Sequence, residues 1–252
     1  MKKEMLLVIA SFFLMSLTAI TGVYAIEETT KIVTISNEEA DITGDGKVEE
    51  ILLKGDPYQK EDTFLEKIYF EINASNGKKY SFPLESGARA SFQLVDLNGD
   101  GLQDIFASVL TGESEGIVQN YAYSLKDFVQ TNIPLPEPLE MESHFLKGYK
   151  AEIKLATTGK AYRFDLKDRK IYYKRLGLYY NGKLNEPTEL TVNPFNQLQP
   201  ITLKGNKVEL QGEQRVTGIA NADVIASVKS TWTFERGHWK LKSTIVNKEL
   251  NR

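Results

Sequence analysis

The chain has no cysteine, only two histidines and two tryptophans, and no excess of basic residues. Without cysteine there can be no disulfide, no thiolate nucleophile, no thiolate-bound zinc and no lipidated cysteine. His144 and His238 neighbour no Ser or acidic partner in a recognisable catalytic pattern, and their number leaves no His-rich zinc spacing. Lys and Arg total 31 against 34 Asp and Glu, a formal charge of −3. That balance argues against nucleic acid and anionic membrane surfaces as main partners and is compatible with cation binding. Long helical periodicity is missing as well.

One apolar run is present, over residues 6–20, after Lys2 and Lys3 and before the small residues of Thr21-Gly22-Val23-Tyr24-Ala25. It has the length of a signal-peptide core and falls short of the roughly 20 residues of a membrane span. The reading is a signal peptide over 1–25, cut after Ala25, with no membrane span after cleavage; the alternative is a retained N-terminal anchor. Cleavage would take the formal charge to about −4, since two Lys and one Glu depart. An exported chain without disulfides suits bacterial secretion, to the cell wall or medium, with stability drawn from packing and metal.

Short segments with period-2 alternation follow, each bounded by Gly, Asn, Asp or Pro, as strands require. They are expected at 32–35, 51–54, 68–72, 92–95, 105–109, 117–123, 151–155, 162–166, 171–180, 208–210, 228–234 and 239–246. Residues 58–67 and 222–228 could each hold a turn or two of helix. The fold class expected is therefore all-β. Ile133-Pro134-Leu135-Pro136-Glu137-Pro138 cannot sit in a paired central strand and favours a stiff, extended connector. It sets a boundary: a repeat unit over 26–132, a Pro-rich linker over 133–142 and a β-rich unit over 143–252.

An internal repeat carries the chemistry. Asp41-Ile42-Thr43-Gly44-Asp45-Gly46-Lys47-Val48-Glu49 returns 55 residues later as Asp96-Leu97-Asn98-Gly99-Asp100-Gly101-Leu102-Gln103-Asp104. A strand, a Gly-bearing loop and an aromatic strand follow each copy, which points to stacked β units. A fainter echo, Gly205-Asn206-Lys207-Val208-Glu209-Leu210, has Ile201, Leu203 and Gly205 at the ligand positions.

Calcium takes six to eight oxygens, which a short loop supplies when oxygen-bearing side chains alternate around a sharp glycine turn. In the second loop these are Asp96, Asn98 and Asp100, then Gly101, the carbonyl of Leu102, and Asp104. In the first they are Asp41, Thr43 and Asp45, then Gly46, the carbonyl of Lys47, and Glu49. An EF-hand needs an acidic residue at position 12, where Leu52 and Ala107 stand, so strand–loop–strand sites are expected. Both loops bring three carboxylates; the second, with an amide at Asn98 where the first has the Thr43 hydroxyl and Asp104 where the first has the longer Glu49, should bind Ca2+ more tightly.

The residues from Val95 to Ile105, the strand after them, Gly116 and the aromatic pair Tyr121 and Tyr123 resemble the FG-GAP/VCBS repeats of integrin-α-like propellers. The first copy is similar but weaker, and the family's Ala-Pro after the strand is replaced by Leu110 and Thr111. The resemblance covers roughly residues 30–130. It implies a β-propeller-like repeat unit with two clear blades, up to four in total, calcium pinning each blade's hairpin, and partners met through loops.

Other features have plainer readings. Glu113 and Glu115 could form a glycosidase-like pair but read as a solvated loop. Tyr172, Tyr173, Tyr179 and Tyr180 could stack on sugars but read as strand residues in packing. Trp232, Phe234, Trp239 and Leu241 read as one buried face of a terminal hairpin. The expectation is a secreted, non-catalytic, calcium-binding module of the cell envelope whose partner is an extracellular or cell-wall protein or polysaccharide. The alternatives are a polysaccharide-acting hydrolase using loop carboxylates and a spore or surface-layer structural protein.

Overall fold

Alternating apolar residues flanked by turn formers place strand after strand, and the fold is all-β, 59% strand and 6% helix. The computed structural model describes residues 32–57, 63–111 and 117–249. The expected signal peptide, Glu113 and Glu115 lie outside these residues.

The described strands form several open sheets, and none closes on itself. The first is the antiparallel meander β1 (Val33–Ala40), β2 (Glu49–Pro57), β3 (Leu65–Asn73) and β4 (Lys79–Leu84). The second repeats that order with β5 (Arg89–Val95), β6 (Asp104–Leu110), β7 (Val118–Ser124) and the short β8 (Thr131–Asn132). The three-stranded sheet of β9 (Met141–Leu146), β10 (Lys150–Leu155) and β11 (Ala161–Asp165) comes next. A helix, α1 (Lys170–Arg175), and a two-residue ribbon, β12 (Tyr179–Tyr180) with β13 (Lys183–Leu184), lead into a third four-stranded meander. Its strands are β14 (Thr191–Thr202), β15 (Val208–Thr217), β16 (Val224–Glu235) and β17 (His238–Lys248).

Period-2 alternation decides which faces meet. Ile51 and Leu53 on β2, with Ile68, Phe70 and Ile72 on β3, share a core with Ile105, Ala107 and Val109 on β6. Phe106, between those β6 residues, points into another core with Ala122, Phe195, Leu198, Val208 and Leu210. The second sheet is thus buried on both faces, between the first meander and the β14–β17 meander. This explains the nearly continuous burial of β6. A further core joins β9–β11 and α1 to Val216 on β15 and to Ile225, Ala226 and Val228 on β16.

The proline segment is free of regular structure, as expected, but it is packed. Ile133, Pro136 and Leu139 are buried. The Leu139 N–H donates to Gln214 Oε1 at 2.7 Å, Gln214 Nε2 donates back to the Leu139 carbonyl, and Trp239 Nε1 donates to the Pro134 carbonyl.

Several expectations need correction. Residues 171–180, expected as a strand, hold the end of α1, a turn and β12. Tyr173 and Tyr179 still reach the core, but from a helix turn and a ribbon, while Tyr180 is exposed. Residues 222–228 contain no helix; β16 begins at Val224. Of 58–67, residues 58–62 fall outside the described set and Leu65 already belongs to β3. Strand β14 was not expected, because Pro194 and Pro200 interrupt its pattern. It lies at a sheet edge and is bulged around Phe195, where proline costs no central ladder bond. The terminal hairpin follows expectation: Trp232, Phe234, Trp239 and Leu241 are partly buried against the cores.

Candidate metal centre

Both acidic loops join the first two strands of a meander, β1 to β2 and β5 to β6. Their glycines carry the turns: Gly44, Gly46, Gly99 and Gly101 have φ between +76° and +89°, a region costly for other residues. Within the loops the hydrogen bonding repeats almost to the tenth of an ångström. Asp41 Oδ1 and Asp96 Oδ1 accept the N–H of Gly44 and Gly99, both at 2.7 Å. Their Oδ2 atoms accept from Gly46 at 2.9 Å and Gly101 at 3.0 Å. Asp45 and Asp100 accept from Lys47 at 2.9 Å and Leu102 at 3.0 Å.

The residue at position 9 folds back into each loop. Glu49 Oε2 accepts the Ile42 N–H at 3.1 Å, and Asp104 Oδ2 accepts the Leu97 N–H at 3.0 Å. Ile42 and Leu97 are themselves buried and anchor the loops to the cores. Thus the ninth position, expected as a ligand, also acts as an internal staple.

The copies differ in how that buried carboxylate is satisfied. Glu49, fully buried, reaches the Ser75 N–H with its second oxygen at 3.2 Å. The shorter Asp104 is 1% exposed, and its Oδ1 has no hydrogen bond of good geometry. Burial pushes the Asp104 carboxyl up to about 6, and the nearby Asp100 charge adds to the rise; the Leu97 N–H and Ser124 hydroxyl pull only partly the other way. In the first loop the Thr43 hydroxyl, also 1% exposed, lacks a hydrogen-bond partner. The exposed Asp45 carboxyl is held low, first by the Ser75 hydroxyl and then by the Lys47 N–H.

The two loops are neighbours. A Cβ on Gly44 would stand 3.0 Å from the Leu102 side chain, so the loops touch. The turn after β7 reaches both: Lys126 Nζ lies 3.2 Å from Asp100 Oδ2, and the Asp127 N–H donates to the Thr43 carbonyl at 2.9 Å. Sequence reasoning missed Ser75, Ser124 and this turn. The available signal was their place at or just past the end of the third strand of each repeat.

The oxygen donors suit a hard cation. Each carboxylate oxygen has more than one acceptor direction, so a backbone bond does not exhaust it. Among the described residues no three Asp, Glu, His or Cys side chains converge as a ready cluster. The other donors are the Asn98 amide, the Thr43 hydroxyl and the carbonyls of Lys47 and Leu102. In the second loop one buried oxygen of Asp104 makes no hydrogen bond of good geometry, which leaves it open to a further donor or cation. Elsewhere, His144 Nε2 stands 3.9 Å from Glu152, which Arg163 also binds. A cleft of about 1070 Å³ runs along β9 and shares no lining residue with the loops.

Comparison with known proteins adds relatives but no activity. Residues 139–247, from the end of the proline segment to β17, match the family model described as the YybI C-terminal domain. The chain is 27% identical over 213 residues to the uncharacterized protein YybI of Bacillus subtilis (strain 168), covering 80% of each. Among solved structures, it is similar to the exotype rhamnogalacturonan lyase YesX, with 16% identity and a TM-score of 0.38. That match covers 86% of this chain and 33% of the lyase, so this chain spans about a third of the lyase's length.

Proposed function

We propose that the protein is a secreted, calcium-binding, non-catalytic module of the cell envelope, with its meanders serving as blades of an open propeller-like scaffold. The observation that carries the calcium reading is the pair of adjoining loops with a shared hydrogen-bond pattern, the second holding a buried carboxylate oxygen that makes no hydrogen bond of good geometry. In this reading Asp96, Asn98, Asp100, Asp104 and the Leu102 carbonyl hold the stronger ion. Asp41, Thr43, Asp45, Glu49 and the Lys47 carbonyl hold the weaker one. The ion supplies charge neutralisation and cross-links each loop to the strand after it; no reaction is assigned to it. The blade reading is supported by the packing of the first meander on the second and of the second on the third. The faint repeat echo falls in the first hairpin of that third meander.

Export and an envelope partner, a wall polysaccharide or protein, rest on the N-terminal apolar run and the surplus of acidic residues. The test is calorimetric titration of chelator-treated protein with CaCl2, beside melting curves in EGTA and in calcium. Dissociation constants of about 10⁻⁴ to 10⁻³ M are expected. Calcium at ten times the constant should add about 1.4 kcal/mol per site, or roughly 3–6 °C in a chain of this size. A flat titration with coincident melting curves overturns the calcium reading. Pull-down on purified wall, with and without chelator, tests the partner; equal retention of an unrelated acidic protein overturns it.

A further inference from the structure

We infer that the turn after β7 is a shared regulator of the two loops, in which Lys126 acts as a tethered cation competing with calcium for the second loop. The inference rests on the calcium reading above and adds what sets the affinity and what links the sites. Residues 124–128 touch each loop at a different point. The Ser124 hydroxyl faces the buried Asp104 carboxyl. Lys126 Nζ pairs with Asp100 Oδ2 at 3.2 Å. The Asp127 N–H bonds the carbonyl of Thr43, the residue whose buried hydroxyl lacks a partner.

The backbone of this turn is itself unusual. Asp127 and Phe128 take φ of 53° and 61°, two consecutive left-handed residues with neither a glycine. Such conformations persist only where contacts on both sides impose them. Two of the turn's contacts reach the loops, Lys126 with Asp100 and the Asp127 N–H with the Thr43 carbonyl, so a change at one loop bears on the turn that also holds the other.

Lys126 is half exposed, with its side chain 48% accessible, and it engages a carboxylate that the reading assigns to calcium. A monovalent ammonium at that oxygen and a divalent ion in the loop repel each other, so calcium entry must move Lys126 outward. The next residue, Asp127, gives the N–H that bonds the first loop, so freeing the Lys126 side chain loosens one of the two contacts that hold this turn. The second loop should therefore bind less tightly than its carboxylates would allow, and its filling should alter the first.

The experiment is titration of chelator-treated full-length protein with CaCl2, for wild type, Lys126→Gln and Lys126→Arg. Amide hydrogen exchange at Asp127 is measured in an Asp41→Asn background that weakens the first loop. Lys126→Gln should tighten the second site by roughly three- to ten-fold, and Lys126→Arg should stay near wild type. Calcium should change exchange at the Asp127 amide several-fold even with the first loop weakened. If wild type binds calcium but Lys126→Gln binds within two-fold of it and Asp127 exchange does not respond, the regulator is refuted while the calcium reading stands. If no form binds calcium, the calcium reading fails and the regulator with it.

Discussion

Replacing Asp104 by Asn should stabilise the calcium-free protein and remove the second loop's share of its response to calcium. The Asp104 carboxyl is buried at the start of β6, and its pKa rises from an ordinary 3.8 to about 6. A carboxyl whose pKa is higher in the folded than in the unfolded state favours folding when protonated. Its contribution is complete below about pH 3.8 and is lost as pH rises through 6. At pH 7.5 the ionised group therefore opposes folding, and the displacement from 3.8 to about 6 corresponds to about 3 kcal/mol. Asn keeps an oxygen for the Leu97 N–H and removes the charge, but its new amide donors also need partners in a buried site. The net gain should be about 1–3 kcal/mol. The assay is urea denaturation in EGTA at pH 7.5 and pH 4 for both forms, repeated at pH 7.5 in excess calcium. The Asp104→Asn variant should be the more stable at pH 7.5 in EGTA, the advantage should shrink towards pH 4, and calcium should stabilise wild type by more than the variant. The reasoning is refuted if the substitution destabilises the protein in EGTA at pH 7.5, or if its effect is the same at both pH values.

Two further predictions concern the buried ion pair behind α1. Arg169, with a side chain 0% exposed, binds Asp223 at 2.6 Å and the carbonyls of Val224 and Glu249, while the Tyr173 hydroxyl donates to the same Asp223 oxygen. Burial, and then the Asp223 charge, push the Tyr173 phenol far above its usual range, so it stays a donor. Arg169→Met leaves Asp223 buried without its cation and should cost about 3–5 kcal/mol; a loss under 1 kcal/mol by urea denaturation would contradict this account. Gly218 lies against the same aspartate, and a Cβ there would stand 2.1 Å from Asp223 Oδ2. Gly218→Ala should cost about 1–3 kcal/mol, and its combination with Arg169→Met should cost less than the sum of the two, because both act on Asp223. Additive losses in denaturation midpoints would separate the two effects and refute the shared origin.

What could be read from the sequence was what local chemistry decides. The acidic loops were legible because Asp, Asn and Gly must alternate to turn so tightly, and the pattern recurs with its flanking strands. The core faces of β2 and β3 were legible from alternation alone, whereas β6, apolar on both faces, was legible as a strand but not as the layer between two cores. Helix α1 was not, since Ile171-Tyr172-Tyr173 has the composition of a strand. Only packing of Tyr173 and of the adjoining Arg169 selects the helical turn. Strand β14 was hidden by two prolines that an edge position tolerates. The 124–128 turn was missed because its left-handed residues are Asp127 and Phe128 rather than glycines, so only its place after the third strand marked it. Arg169 and Asp223, 54 residues apart, carry no pattern that would pair them.

The three meanders can be compared at one position, the acid near the start of the second strand: Glu49, Asp104 and Glu209, all at most 2% exposed. A buried carboxylate is unfavourable unless hydrogen bonds or an opposite charge compensate it. The first meander uses backbone, with Ile42 and Ser75 N–H groups on the two oxygens of Glu49. The third, whose loop lacks the acidic residues, uses a covalently attached cation, Lys242 Nζ at 2.6 Å from Glu209. The second has a single good backbone bond to Asp104 and places its lysine on Asp100 instead. Both acidic loops bring three carboxylates, and compensation of the buried one is less complete in the second. A dissolved cation has most to add there, which on electrostatic grounds singles out the middle loop as the one whose occupancy should govern the fold.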